Sequence, residues 1–303
     1  MKTPKIVVIL LNYNSDSHTL ECVASLRHVL SPAFEGVIID NHSAEVSFQF
    51  LQKSISDWTL IRTEENLGYA GGINVGIRHA LKMGADYLLL LNNDAVVEPD
   101  FLTPLVKRAE SDPNIGIVGS KVVDYYKRDF IQAAGTRVPW GLGSFNIEGS
   151  ADDPSLNIVK SFPALTGCVW LVRASVFEKV GFLNEDYFLY AEDVEFCWRV
   201  QKKFKIIYEP SSVVYHKDGG SSPNAKARGK VVYYCTRNKC YFMRSKGLLE
   251  FSFFFLHYFV GRSAKALLWF CKGDYWKTWG VYRGFVDFFC GKTGPLFNKG
   301  GRF

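Results

Sequence analysis

Six consecutive apolar residues, Ile6 to Leu11, end abruptly at Asn12-Tyr13-Asn14, and the run is too short for a buried helix. It predicts a parallel strand covered on both faces. The same pattern recurs at Gly36 to Asp40, Asp57 to Arg62 and Tyr87 to Leu91, the last stopping at Asn92-Asn93-Asp94. Helical spacing lies between them, over Ser17 to Val29 and Ile73 to Met83. This alternation predicts an α/β domain with a doubly wound, mostly parallel sheet. Ligands bind such sheets beyond the carboxyl ends of the strands, where Asn12, Asp40 and Asn92 to Asp94 should meet in one crevice.

Downstream, Gly135 to Asn157 is rich in Gly, Ser, Asp and Pro and reads as a mobile loop over the site. Lys205 to Tyr215 is a β-rich run leading to His216 and the glycines after it. From Val231 the pattern turns helical, aromatic and basic. The domain edge is expected near Ser222 to Lys230, giving a catalytic domain over 1–225 and a helical region over 226–303.

Composition adds three constraints. The chain has 303 residues, 48% hydrophobic and 22% charged, which suits a folded globular protein. Charge is lopsided: residues 1–198 hold 16 basic and 25 acidic side chains, residues 199–303 hold 20 and 5. So basic a tail implies an anionic partner. The seven cysteines include no C-x-x-C pair, which argues against a zinc knuckle or a disulfide framework and fits a reducing compartment. The apolar run after Met1 is too short for a signal peptide, so a cytoplasmic location is expected.

Five places in the chain carry candidate chemistry. Asn92-Asn93-Asp94 offers a carboxylate and amides to the crevice, enough for Mg²⁺ or Mn²⁺ that also takes diphosphate oxygens; a turn and helix cap is the alternative. Asn66 to Gly76 is a glycine-rich loop entering a helix, where backbone can approach a nucleotide, or simply pack tightly. Its glycine spacing matches neither the dinucleotide fingerprint nor the P-loop. Asp40-Asn41-His42-Ser43 could accept a pyrimidine N3–H, or form a plain Asx turn. Glu192, Asp193 and Glu195 open a helix, where one acid can act as general base or all can favour the helix dipole. His216, at a strand end, suits a metal or phosphate contact, or a structural hydrogen bond.

In this order and spacing, Val8 to Asn14, Ile38 to Ser43, Asn66 to Gly76, Leu91 to Asp94, Thr166-Gly167-Cys168, Gly181 to Arg199 and His216 resemble the family 2 GT-A glycosyltransferases. The similarity covers residues 5–245 and is strongest to the bacterial rhamnosyltransferase-like branch, which serves O-antigen and cell-wall polysaccharide assembly. The resemblance implies a nucleotide diphosphate sugar donor, a divalent cation and an inverting reaction on a glycan or lipid-linked saccharide hydroxyl. It puts Asp40 on the base, Asp94 and His216 on the metal, and Asn92 at the first carboxylate position of the D-x-D motif, a departure that weakens the metal site. It makes Asp193 the catalytic base, with Glu192 beside it. Donor contacts fall to Asn12 and Asn14, to Asp40 and Asn41, to Asn66, Gly68, Gly72 and Asn74, to Asn92 and Asn93, and to Arg237 in the run Tyr234-Cys-Thr-Arg-Asn-Lys. Thr166, Gly167 and Tyr190 fall on the acceptor side.

The other readings are a nucleotidyltransferase, which should carry basic residues near its glycine loop, and a non-catalytic glycan-binding module. Residues 251–290 hold 15 aromatics interleaved with charges, and their longest uncharged run is about half the roughly 20 residues a span requires. Helices of this kind lie in an anionic membrane surface, here the inner face of the cell membrane, or pack on the catalytic domain or in a homodimer. No nucleic-acid-binding motif accompanies them, so no nucleic-acid partner is expected.

Overall fold

The computed structural model describes residues 3–217 and 225–296. Its first part alternates β1 (Ile6–Asn12), α1 (Asp16–Leu26), β2 (Glu35–Asp40), α2 (Glu45–Ser54), β3 (Thr59–Arg62), α3 (Gly68–Lys82) and β4 (Tyr87–Asn92). Next come β5 (Ala95–Val97), α4 (Leu102–Glu110), β6 (Ile115–Asp124) and the short strands β7 (Phe130–Ala133), β8 (Thr136–Arg137), β9 (Phe145–Asn146), β10 (Gly149–Ser150) and β11 (Lys160–Ser161). The chain continues through β12 (Val169–Arg173), α5 (Ala174–Val180), α6 (Glu192–Val200) and β13 (Lys205–His216) to α7 (Ala225–Ser245), α8 (Leu248–Cys271) and α9 (Tyr275–Phe289).

Strands β3, β2, β1 and β4 run parallel side by side; β12 lies antiparallel between β4 and β6, and β13 runs parallel to β6. The strands are buried on both faces because helices cover each. Ile9 and Ile39 face Ala70, Ile73 and Ile77 of α3, while Val8, Leu10 and Ile38 face Cys22, Val23 and Leu26 of α1.

One expectation changes, and two segments gain detail. The glycine-rich segment is not a loop: α3 begins at Gly68, because Gly72 and Gly76 let the helix lie against the sheet. A Cβ at Gly72 would stand 2.4 Å from Leu11, and one at Gly76 2.5 Å from Ile9. Within residues 135–157, read as a mobile loop, β8 pairs with β9, and β10 pairs with β7. Helix α2 carried no periodic signal because it buries only Leu51. The glycines after His216 and the start of the expected domain edge lie outside the described residues; α7 is already helical at Ala225.

The C-terminal helices join the same apolar core as the sheet, through Cys240, Phe254, Val281, Phe285 and Phe288. Helix α9 crosses α7 at backbone contact. A Cβ at Gly280 would lie 2.3 Å from the Gly229 carbonyl oxygen, which cannot retreat without moving the helix. Gly280→Ala should therefore destabilise the fold by about 1–3 kcal/mol, read as a lowered Tm. An unchanged Tm would mean that this crossing is loose.

Candidate active site

The ends of β1 and β2 turn sharply, with Asn14 and His42 in the left-handed region, at φ 50° and 64°. Polar side chains tie these turns together. Asn12 donates to Asp40 Oδ1 at 3.0 Å and to Ser43 Oγ at 3.2 Å, and accepts from Thr19 at 2.9 Å. Asp40 also takes the Ser43 N–H at 3.2 Å, with Arg62 3.6 Å away. Asn41 reaches Asn66 at 3.1 Å and the Gly68 carbonyl at 2.9 Å. Asn14 caps the chain at Ala44, 2.7 Å away. Asp40 is fully buried with both oxygens engaged, so reading a base directly would require it to release a partner. Asn74 faces away from the strand ends and binds Leu183 and Glu185.

A second cluster forms where β13 ends. Its antiparallel register on β5 pairs His216 with Ala95, which sets the imidazole beside Asp94. His216 Nε2 lies 3.2 Å from Asp94 Oδ1 and 3.4 Å from the Asn92 amide nitrogen. Its Nδ1 meets Gln132 at 3.0 Å, and Gln132 is itself held by Asp124 at 2.9 Å. Burial opposes the imidazolium, but Cys168 and Asp94 outweigh it and push the His216 pKa up to about 11. Two ligands of one octahedral cation sit about 3 Å apart when each bond is about 2.1 Å, so this pair fits a shared divalent ion that would take the place of the Nε2 proton. Among the described residues no group of three or more His, Cys, Asp and Glu side chains could hold a metal. The remaining ligands would have to be phosphate oxygens and water. Asn93 instead braces Thr19 at 2.8 Å.

The acids of α6 are sorted by their partners. Glu195 is locked to Arg199 by two contacts, 2.7 and 2.9 Å. Asp193 Oδ2 accepts the Gly167 N–H at 3.1 Å, and Oδ1 accepts from Val194 at 2.8 Å. Glu192 is buried, and its Oε2 has no hydrogen-bond partner. Burial, and then the neighbouring Asp193, pushes Glu192 up to about 8; burial raises Asp193 as well, against the backbone N–H groups that favour its ionised form. The two environments thus differ, and N–H groups on both oxygens favour the ionised form of Asp193.

Phe188, Tyr190 and Ala191, just before these acids, all have positive φ, a strained run that the surroundings must hold. Asn238 does so, donating to the carbonyls of Tyr187, Leu189 and Tyr190 at 2.8–2.9 Å. Tyr69 lies between the clusters. Its hydroxyl donates to the Gly167 carbonyl at 3.1 Å, and burial with the charges of Glu192, Asp193 and Asp94 raises its pKa strongly.

Residues 7–181, more than half of the chain, match glycosyl transferase family 2. The chain belongs to that family.

Its fold is GT-A: a Pyrobaculum calidifontis mannosyltransferase solved with GDP-Man and Mn²⁺ superposes with a TM-score of 0.57 at 17% identity, over 96% of this chain and 89% of that one. Among curated family 2 relatives, the low-salt glycan biosynthesis hexosyltransferase Agl10 of Haloferax volcanii is 29% identical over 65% of this chain. That match spans 61% of Agl10. An N-acetylglucosaminyl-diphospho-decaprenol L-rhamnosyltransferase of Mycobacterium tuberculosis is 24% identical over 73% of this chain and 78% of its own length.

Within this family 2 chain, another expected donor residue is placed elsewhere, as Asn74 and Asn93 are. Arg237 is fully buried, its guanidinium on Asn238 at 2.9 Å, the Tyr233 hydroxyl at 3.0 Å and the Gly294 carbonyl at 2.9 Å. It faces the fold interior because helix α7 packs inward at that position, and with Asn238 it supports the strained 186–190 segment rather than a diphosphate. Tyr69, Gln132 and Lys239 were missed, although Tyr69 and Lys239 lay in segments singled out from the sequence. Thr166 and Tyr190 flank Gly167 and Glu192 and are partly exposed.

A pH effect on stability follows from Glu192. Its folded pKa is raised, so the folded state holds a proton that the unfolded state has lost, and stability falls as pH rises from the ordinary carboxylate range towards about 8. Glu192→Gln removes this dependence. The variant should gain Tm over wild type above pH 8 and gain little at pH 5; a gain independent of pH would show that Glu192 is not buried as an acid.

Proposed function

We propose that this chain is an inverting glycosyltransferase. It moves a sugar from a nucleotide diphosphate to a hydroxyl of a glycan or lipid-linked saccharide acceptor in cell-surface polysaccharide assembly. The observation that carries this reading is the 167–168 turn, whose Gly167 N–H meets Asp193 at 3.1 Å and whose Cys168 carbonyl takes the Asn92 N–H at 2.9 Å. A base and a metal-competent pair held by one turn support a shared crevice.

In this reading Asp193 takes the acceptor hydroxyl proton as the acceptor oxygen bonds to the anomeric carbon. The bond from that carbon to the diphosphate breaks on the opposite face, inverting its configuration. Gly167 N–H fixes the carboxylate. A divalent cation on Asp94 and His216, Mg²⁺ or Mn²⁺, supplies charge neutralisation for the leaving diphosphate when bound. Gln132 fixes the His216 ring. The hexosyl- and rhamnosyltransferase relatives favour a hexose or rhamnose donor.

No helix among the described residues is long and apolar enough to cross a membrane. The basic aromatic helices support a peripheral position on the inner face of the cell membrane. The deciding experiment is a thermal-shift and donor-hydrolysis screen across UDP-, dTDP- and GDP-sugars with and without Mn²⁺. A metal-dependent response to one nucleotide class is expected; a response to free glycan alone would make the chain a binding module.

A further inference from the structure

The residues just before the acids of α6 take a conformation that glycine adopts freely and larger residues do not. Phe188, Tyr190 and Ala191 stand at φ 61°, 69° and 70°, and Ala191 is the residue from which α6 starts, where an extended conformation is usual. Such backbone persists only where its surroundings hold it. Here it is held from two sides. On one, the Tyr69 N–H of α3 donates to the Phe188 carbonyl at 2.6 Å, and Gly68 leaves room for that approach, since a Cβ there would stand 2.3 Å from the same oxygen. On the other, the Phe188 ring stacks on Tyr234 of α7 at 5.5 Å, and Asn238 of α7 donates to the carbonyls of Tyr187, Leu189 and Tyr190.

Asn238 is itself oriented by a buried chain of hydrogen bonds that begins on α9. Asp287 Oδ2 accepts from the Tyr233 hydroxyl at 2.9 Å, that hydroxyl accepts from Arg237 Nη1 at 3.0 Å, and Arg237 Nε donates to Asn238 Oδ1 at 2.9 Å. With its oxygen taken by a cation, the amide turns its Nδ2 hydrogens to the 187–190 carbonyls. Arg237 and Asn238 are fully buried, and Tyr233 and Asp287 nearly so. A buried guanidinium and carboxylate are costly where apolar residues could fill the same volume. What this set does, and an apolar set cannot, is hold backbone carbonyls.

The backbone they hold delivers the base. Asp193 follows Ala191 by two residues, and its Oδ2 accepts the Gly167 N–H at 3.1 Å. The Ala191 carbonyl takes the Glu195 N–H at 3.0 Å, so a change of φ at Ala191 swings the first turn of α6 and its acids together. Displacing a reacting group by about 1 Å can cost about 10²-fold in rate.

We propose that Asn238 is a positioning residue for the transfer step: by holding the carbonyls of Tyr187, Leu189 and Tyr190 it aims Asp193 at the acceptor hydroxyl. Helix α7, with α9 behind it, then belongs to the catalytic unit rather than to a separable extension. The inference rests on Asp193 as the base in the glycosyltransferase reading. A purely structural Asn238 would differ, since its loss would lower stability without moving Asp193.

The test uses the full chain with Mn²⁺ and whichever UDP-, dTDP- or GDP-sugar binds, and follows donor hydrolysis, in which water takes the place of the acceptor hydroxyl. Asn238→Ala should lower kcat by about 10- to 100-fold while donor affinity changes by less than about twofold. Gly280→Ala, which disturbs the α7–α9 crossing away from the strained run and is assayed below its Tm, should keep kcat within about twofold of wild type. In the Asp193→Asn background, Asn238→Ala should cost less than about a further twofold, because the group it acts through is already lost. Full additivity overturns the proposal, as does a wild-type kcat in Asn238→Ala. Amide exchange gives a reading without donor: Gly167, whose N–H sits on Asp193, should exchange about tenfold faster in Asn238→Ala. Opening confined to 187–191, with Gly167 still protected, makes Asn238 structural only and overturns the proposal. Asn238→Ser, which keeps one donor, should show the same pattern to a smaller degree and stands in if the alanine variant does not fold. Failure of the sugar-transfer reading would show separately, in the wild type, as absent nucleotide-sugar binding.

Discussion

Asp193→Asn is expected to lower turnover by about 10² to 10⁴ while donor affinity stays near wild type. Asparagine keeps the size and can still accept the Gly167 N–H through its carbonyl oxygen, so the 166–168 turn should hold. It cannot take a proton from an acceptor hydroxyl. The loss belongs in kcat and kcat/KM equally, since the interaction removed exists only in the transition state. Two controls sharpen the result. Glu195→Gln breaks the Arg199 fork and should act on stability rather than chemistry. Wild-type activity should fall as pH drops through the raised Asp193 pKa, because the base must be ionised and burial moves its protonation to higher pH. If Asp193→Asn retains more than about a tenth of wild-type turnover while Glu192→Gln loses it, the base is Glu192 and Asp193 is a turn-holding acid.

Asp94→Ala should reduce metal-dependent nucleotide binding by at least about a hundredfold, beyond the losses seen when only a metal ligand's supporting residue is removed. The donor set explains the size. One carboxylate and one imidazole give a weak, exchangeable site that depends on substrate phosphate, so losing the only charged ligand leaves little. Mild chelation should likewise suppress nucleotide binding by the wild type. Gln132→Leu offers a graded comparison: His216 stays present but loses its Nδ1 partner, and affinity should fall about 10- to 100-fold. Titrating Mn²⁺ into protein and nucleotide diphosphate by calorimetry reads all three. Equal metal-dependent affinity in Asp94→Ala and wild type would remove Asp94 from the site.

The parallel strands and their polar ends were legible in the chain because a strand buried on both faces must be continuously apolar, and its C-terminal turn must be polar. Ile6–Asn12 and Tyr87–Asn92 follow that rule almost to the residue. The family pattern was legible for the same local reason, as short motifs at strand and helix ends. By contrast, helix α3 begins five residues before the expected Ile73, since glycine's poor helix propensity suggested a loop and only the approach of Leu11 and Ile9 shows why glycines are needed there.

What the sequence by itself determined was the parallel part of the sheet and the polar residue types at its strand ends. Which partners those residues take was decided by tertiary structure alone. Asp40 and Asp94 both follow apolar strands, yet Asp40 is engaged by Asn12, Ser43 and Arg62, while Asp94 meets His216 from a strand 120 residues away in the chain. Arg237 and Lys239 stand two apart on α7, yet one braces the strained segment before the acids and the other donates to the Ser144 carbonyl. Hydrogen bonds and buried charges are settled by neighbours distant in sequence, and no local pattern of apolar and polar positions encodes who those neighbours will be.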